Sequence, residues 1–411
     1  MTQPPDTATA PRLRVALYSG IVMKKDAVSN SLLLKLRLLQ RLRDAGAPIE
    51  VTAFTQGSDY DDPDIRVVPG LRALLRDHHF RDSDVHVFEY GMWYELFNAL
   101  VLIDQPTLVI DHNTTPPELI VDPEVQRACA KAMFERHNLH LATRIATVSE
   151  YTRDQLLELG FDGSRITVIH LPANNAGMRR PESIMAGGPG GELRVLYVGR
   201  FVAAKGISEL LATVRMLWQE GDDVVLTVAG SAQFSDPEVV AALQAEVQVE
   251  SERRFHLVEG ADDDEIASLY ATSDVFVMPS HHEGYCVPVI EALDSGCYVI
   301  GSDAGNVPNV MGGLGTVFPT GDVSELTAAL REVLSRLAEA RREGTETLVP
   351  TDRGDMSLAA WCDAVGRHVA GYSHEEFDAR FLEVLDAIAP EPLRGALRPV
   401  HGRVEPALRS A

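Results

Sequence analysis

The sequence predicts two tandem α/β halves, each a mainly parallel sheet covered by helices. Three observations lead there. The 411-residue length exceeds what one hydrophobic core usually organises. Short β-like runs alternate with helical stretches through most of the chain, the pattern of a parallel sheet buried on both faces. The alternation breaks once, at "PANNAGMRRPESIMAGGPGGE" (172–192), rich in Pro, Gly, Asn and Ala, and then restarts.

In the first half, "LRVALYSG" (13–20) is a strand ending at a glycine, and "SNSLLLKLRLLQRLRDAGAP" (29–48) an amphipathic helix closed by Gly46 and Pro48. Further strands are expected at 49–55, 84–91, 107–113 and 143–150. After the break, strands are expected at 192–201, 223–231, 254–260, 274–280 and 297–303. Helices are expected at 206–219, 237–250, 264–273 and 287–296, then at 322–342, 356–371 and 374–388. The expected boundaries are a disordered N-terminus (1–11), a first domain (12–174), a linker (175–192) and a second domain (193–371). A helix (372–388) and a mobile tail (389–411) follow. In doubly wound sheets the ligand crevice lies outside the carboxyl ends of the strands, so strand-end residues carry the functional reading.

Composition removes several function classes. A formal charge of −23 opposes nucleic acid, which binds through clustered Lys and Arg. Cys129, Cys286, Cys297 and Cys362 have neither metal-ligand nor disulfide spacing, so no metal site is expected. No apolar run approaches the roughly 20 residues that span a bilayer, and the start lacks a signal-peptide pattern, so a cytoplasmic protein is expected. Lys35, Arg37, Arg41 and Arg43 dot one helix, and a solvated face is the expected reading, with no membrane association. Only five residues are Lys, and Lys205 alone follows position 131. A solitary Lys in an Arg-rich chain reflects chance or a site that wants a compact point charge.

Two strand-end motifs point to a bound anion and a polyhydroxylated ligand. In "YVGRFVAAKGISELL" (197–211) a strand ends at Gly199 and Arg200, and Lys205 and Gly206 open the next helix. Two cations and a helix N-terminus suit a diphosphate, and a surface turn with solvated cations is the alternative. In "PSHHEGYCVPVIEALDSG" (279–296) Glu283 and Gly284 lie in a loop, and Pro288 suits the first turn of a helix ending at Gly296. Glu291 lies about one turn into that helix. Carboxylates accept from sugar or ribose hydroxyls, and loop amides of Gly284 to Val287 meet phosphate. Taken singly, Glu283 also reads as a solvated loop acid and Glu291 as a partner of the helix dipole.

These stretches, with "VIGSDAGNVPNV" (299–310), resemble the C-terminal domain of the retaining glycosyltransferases of family 4, which have the GT-B fold of two facing Rossmann-like domains. "DAVSNSLLLKLRLL" (26–39) and "DHNTTPPELI" (111–120) resemble a bacterial subgroup with an H-N-x-T-P segment, and "YSHEEFDARFLEVL" (372–385) the helix that crosses back to the first domain. The resemblance implies a donor site in the interdomain cleft and transfer of a hexose-type sugar from a nucleotide diphosphate sugar to a hydroxyl acceptor, without metal or other cofactor. Arg200 and Lys205 would hold the diphosphate. Glu291 would hold the ribose, and Glu283 with the amides of Gly284, Tyr285, Cys286 and Val287 the sugar and phosphates. His112 would reach the sugar from the first domain, Gly20 would let a backbone loop approach the phosphates and acceptor, and Gly199 would lie at the donor. Without the resemblance, His112 reads as a strand-end histidine bonded to Asn113 or Thr115.

Glu89 stands where the family pattern has a neutral polar residue, and beside Tyr90 it places an acid on the acceptor side. That suggests a cationic amino-sugar or aminocyclitol acceptor, unless Glu89 pairs with a nearby Arg. A small molecule or glycan is the general acceptor expectation, and a monomer or homodimer the expected state. Competing readings are a GT-B synthase or phosphorylase acting on a free sugar or sugar phosphate, and a non-catalytic nucleotide-sugar-binding subunit. The resemblance implies a place in carbohydrate or natural-product biosynthesis.

Overall fold

The computed structural model describes residues 12–24, 26–173, 192–232, 235–249, 254–343 and 348–394. The expected N-terminal segment and, except for Glu192, the expected linker lie outside these residues. Of the expected tail, residues 389–394 are described, and within them Ala389 and Leu393 are buried in the core. The sequence suggested mobility because this stretch lacks periodicity, which a short turn with two apolar anchors does not need.

Two all-parallel sheets organise the molecule, with one short antiparallel pair, Leu348–Val349 against Met356–Ser357. The first contains β1 (Leu13–Tyr18), β2 (Ile49–Thr55), β3 (Ile65–Val67), β4 (Val85–Tyr90), β5 (Thr107–Asp111), β6 (Arg144–Thr147) and β7 (Ile166–Val168), in the order 3-2-1-4-5-6-7. The second contains β8 (Leu193–Val198), β9 (Val224–Gly230), β10 (Phe255–Glu259), β11 (Val275–Met278), β12 (Tyr298–Ser302) and β13 (Thr316–Phe318), in the order 10-9-8-11-12-13. Both orders reverse direction beside their first strand, between β1 and β4 and between β8 and β11. That switch point is where loops splay apart and a ligand crevice opens. β3, β7 and β13 were not expected, because three residues are too few to show a period. Both sheets are Rossmann-like, as the tandem alternation of strands and helices led one to expect.

The central strands are buried along their length because helices cover both faces. One apolar cluster runs from the first sheet through Leu171, Tyr372 and Phe377 into the second. The helix His374–Ile388 lies against Ala27–Asp44 of the first domain. Arg41 bonds Asp378 at 2.9 Å, and the rings of Phe377 and Phe381 face the Lys35 ammonium at 5.5 and 5.8 Å. Lys35 is therefore not on a solvated face: it is 1 % exposed, whereas Arg37 and Arg41 are exposed. Among the described residues, no helix is long and apolar enough to cross a membrane.

Candidate active site

The loops after β8 and β11 flank the second switch point. After β8, Gly199 donates its N–H to the Ala229 carbonyl, so that amide extends the sheet and does not face a ligand. Gly199 contributes closeness: a Cβ there would lie 2.7 Å from the Tyr197 hydroxyl. Arg200 is exposed, and its charge reaches the buried Cys129 thiol of the first domain. The turn Ala203–Lys205 leads through Gly206 into the helix Ile207–Glu220. The Ala204 carbonyl accepts from the His281 amide at 2.8 Å, which ties this turn to the loop after β11.

Lys205 and Glu283 meet across that tie. Lys205 Nζ lies 2.6 Å from Glu283 Oε1, and the Ser280 hydroxyl donates to the same oxygen at 2.7 Å. Glu283 is 8 % exposed, so it is neither a solvated loop acid nor unpaired. Behind it, the loop turns at Cys286, one of two non-glycine described residues with positive φ, at 77°. A left-handed non-glycine residue costs about 1–2 kcal/mol and persists where its surroundings hold it. The conformation swings the chain so that Val287 opens the helix Val287–Asp294, with Pro288 in the first turn. Among the described residues, the amides of Gly284, Tyr285, Cys286 and Val287 donate to no partner. Four open amides at a helix start form an anion cradle. Burial, and then the Glu283 charge, push the Cys286 thiol well above its usual range, so it stays protonated and acts as a small apolar wedge. Glu291, further along that helix, accepts from the Tyr270 hydroxyl at 3.2 Å.

The first domain presses on this loop from the other side. Ser149, which caps Glu150–Glu158, donates to the Gly284 carbonyl at 2.7 Å. Asn113, the other positive-φ residue at 67°, bonds His282 through Oδ1 at 3.0 Å. Tyr285 reaches the Leu171 carbonyl with its hydroxyl. A Cβ on Gly284 would lie 2.6 Å from the Asn113 Cβ, so glycine is what lets the domains close. Gly20, after β1, packs as tightly on Tyr94. Sequence reasoning missed Ser149 and Asn113, since a contact across 135 or 169 positions leaves no local pattern.

His112 bonds neither Asn113 nor Thr115. Its Nε2 lies 2.6 Å from Glu89 Oε2, and Glu89 Oε1 lies 2.9 Å from Lys35 Nζ. Burial alone would raise Glu89, but the Lys35 charge and the hydrogen bonds from His112 and Lys35 outweigh it and hold the carboxyl below its usual range. Glu89 is 1 % exposed and charge-matched, by a Lys rather than an Arg, so it does not present an acid to an acceptor. Tyr90 is also buried and donates to the Ala132 carbonyl, away from the cleft. Both acceptor-side assignments are thereby corrected. The missed partner had a signal: Lys35 falls on the stripe of Leu32, Leu36 and Leu39, all buried.

Substituting Ser149 by Ala removes a helix cap and the bond to Gly284 together. The expected loss is about 1–2 kcal/mol in urea unfolding, with weaker nucleotide affinity. Unchanged values for both would show that Ser149 does not hold the cleft closed.

The loops after β8 and β11 thus bring a paired Lys205 and Glu283 beside four amides without partners, with Arg200 exposed after β8 and Glu291 on the helix behind the amides. Among the described residues, no group of three His, Cys, Asp or Glu side chains is placed to hold a metal ion.

Comparison with known proteins gives the same architecture. Residues 182–346 match the family model described as glycosyl transferases group 1, and residues 36–174 the model described as glycosyltransferase family 4. The chain is 33% identical over 174 residues to an MMP alpha-(1->4)-mannosyltransferase of Mycolicibacterium hassiacum, covering 42% of this chain and 40% of that protein. It is 28% identical over 318 residues to a 2-deoxystreptamine N-acetyl-D-glucosaminyltransferase of Streptomyces fradiae, covering 71% and 73%. Among solved structures, sucrose-phosphate synthase of Thermosynechococcus elongatus superposes with a TM-score of 0.69 at 20% identity, over 92% of this chain and 99% of that one. Anabaena HepE in complex with UDP-glucose gives 0.62 at 15%, over 91% and 99%. With a family model on each of its two parallel-sheet halves, the chain belongs to the family 4 glycosyltransferases of GT-B fold.

Proposed function

We propose that the chain is a retaining glycosyltransferase that moves a hexose-type sugar from a nucleotide diphosphate sugar to a hydroxyl of a small molecule or glycan, in the cytoplasm and without a metal. The observation that carries this reading is the Lys205–Glu283 pair beside the open amides of Gly284 to Val287. As the bond from the anomeric carbon to phosphate breaks, negative charge grows on the diphosphate. Arg200, Lys205 and the helix start stand ready to meet it, and preorganised charge of this kind is usually the largest catalytic contribution. The acceptor oxygen bonds the same face of the anomeric carbon, and its proton passes to a leaving phosphate oxygen. Glu283 orients the sugar and Glu291 the ribose, each as a hydroxyl acceptor.

HepE supports a nucleotide-sugar donor through its bound UDP-glucose. The Streptomyces relative, by its name, acts on an aminocyclitol, which keeps that acceptor class in the assay panel although Glu89 is charge-matched. The test is a thermal-shift screen against UDP, GDP, dTDP and ADP, followed by transfer assays and NMR of the product anomer. A nucleotide at 100 times its Kd adds about 2.7 kcal/mol of stability. Binding without transfer to any acceptor would leave the binding-subunit reading. Reaction only with free sugar or sugar phosphate would leave the synthase or phosphorylase reading. An inverted product would remove retention.

A further inference from the structure

Lys35 has no part in the mechanism above, yet it is among the most completely buried polar side chains described. It lies on Ala27–Asp44, 1 % exposed, beneath the Phe377 and Phe381 rings. Its ammonium donates to the Ser31 carbonyl at 3.1 Å and the Ser31 hydroxyl at 2.5 Å, and lies 2.9 Å from Glu89 Oε1. The Ser31 hydroxyl donates to Glu89 Oε2 at 3.1 Å, beside the His112 ring. A closed chain of contacts thus runs from Lys35 through Ser31 and Glu89 to His112, whose carbonyl sits against Gly284 of the donor loop.

We propose that Lys35, without touching substrate, fixes the single imidazole proton of His112 on Nε2, so that Nδ1 accepts a hydrogen bond from a hydroxyl of the bound sugar. The argument is one of charge and donor count. A carboxylate oxygen only accepts, so the nitrogen 2.6 Å from Glu89 Oε2 carries a proton. Lys35 already balances the one negative charge of Glu89, so Glu89 meets His112 as a charge-matched hydrogen-bond acceptor and not as an isolated charge. The other groups around Glu89 do not alter this count. Tyr94 presents a phenol that burial first and the Glu89 charge second push well up, so it is neutral. The crossing helix presents only the Phe377 and Phe381 rings to Lys35, its Asp378 being paired with Arg41. Across the cleft Lys205 and Glu283 compensate each other. Among the described residues nothing bonds His112 Nδ1. Glu89 is therefore a positioning residue with Lys35 as its counter-ion.

The assignment of Nδ1 to a sugar hydroxyl rests on the proposed function; the proton location does not. The test is nitrogen-15 NMR of histidine-labelled, ligand-free full-length protein at neutral pH, with His112 identified by the signal lost in His112→Gln. The expected wild-type ring has a proton on Nε2 and a lone pair on Nδ1. In Lys35→Met and the milder Lys35→Gln, Glu89 loses its counter-ion and the His112 nitrogen-15 signals move away from the wild-type pattern. A wild-type ring protonated on Nδ1 overturns the proposal, as does a His112 signal unchanged in a folded Lys35 variant. If neither variant folds, the wild-type spectrum alone decides. With a working donor, wild type should discriminate against the analogue with fluorine in place of the contacted hydroxyl, chiefly in KM, and Lys35→Gln should lose at least fivefold of that discrimination. Equal discrimination in both overturns the Nδ1 assignment. Failure of all transfer assays counts against the proposed function and leaves the NMR result standing.

Discussion

Lys205→Ala is expected to lower transfer by about a thousandfold, or roughly 4 kcal/mol of transition-state stabilisation, the upper range for removing one preorganised donor from a developing oxyanion. The effect should fall on kcat more than on KM, because the diphosphate gains most of its leaving-group charge only as the bond breaks. The pair with Glu283 adds a second consequence. Without Lys205, the Glu283 carboxylate, 8 % exposed, keeps only the Ser280 hydroxyl as a side-chain partner. Leaving it so costs about 1–3 kcal/mol of stability, discounted because the Lys205 side chain is 20 % exposed and water can enter the gap. The double variant Lys205→Ala/Glu283→Gln separates the two effects: it should recover most of the lost stability and none of the lost rate. Steady-state kinetics and urea unfolding of the single and double variants check this. Transfer by Lys205→Ala within tenfold of wild type would remove Lys205 from the chemistry.

What the sequence made legible was whatever has a period or a local motif. The strands β1, β2, β4, β5, β8 and β9, and the helices behind them, announce themselves by apolar runs between turn residues, whereas the strand orders appear only in the folded sheets. Glu283 and Glu291 are legible because a strand end, a glycine, a proline and a helix lie within 18 residues of one another. Glu89 was misread for the opposite reason. Its partners come from a helix about 54 positions earlier and a strand end 23 positions later, and only the folded sheet brings them together. Gly199 was legible as a strand end, while the destination of its amide is set by β9, which the local motif does not include. The Ser149 and Asn113 contacts to the donor loop belong to neither domain alone, so no pattern within one domain encodes them.

Gly206→Ala is expected to damage fold and activity together, through geometry rather than charge. Gly206 is left-handed at φ 67°, where an alanine costs about 1 kcal/mol, and it ends the turn that carries Lys205. Space is the larger obstacle. A Cβ at this position would overlap the Pro279 carbonyl oxygen, and that atom is backbone, so no rotamer change relieves it. Relief requires the β11 loop to move, at a cost of about 1–3 kcal/mol for overpacking on top of the backbone strain. A total near 3 kcal/mol lowers Tm by roughly 6–12 °C for a domain of this size. The same movement carries Ser280, His281 and Glu283 away from Lys205, because the Ala204–His281 bond and the Gly206–Pro279 contact share one seam. Activity measured well below the new Tm should therefore remain depressed by at least tenfold, which loss of stability alone does not produce. Gly221→Ala is the control: its φ of 95° is equally left-handed, but a Cβ there meets nothing within 4 Å. It should cost only the backbone strain and leave transfer intact at a temperature where the protein is folded. Equal activity losses in the two variants would mean that the seam between Gly206 and Pro279 does not position the site.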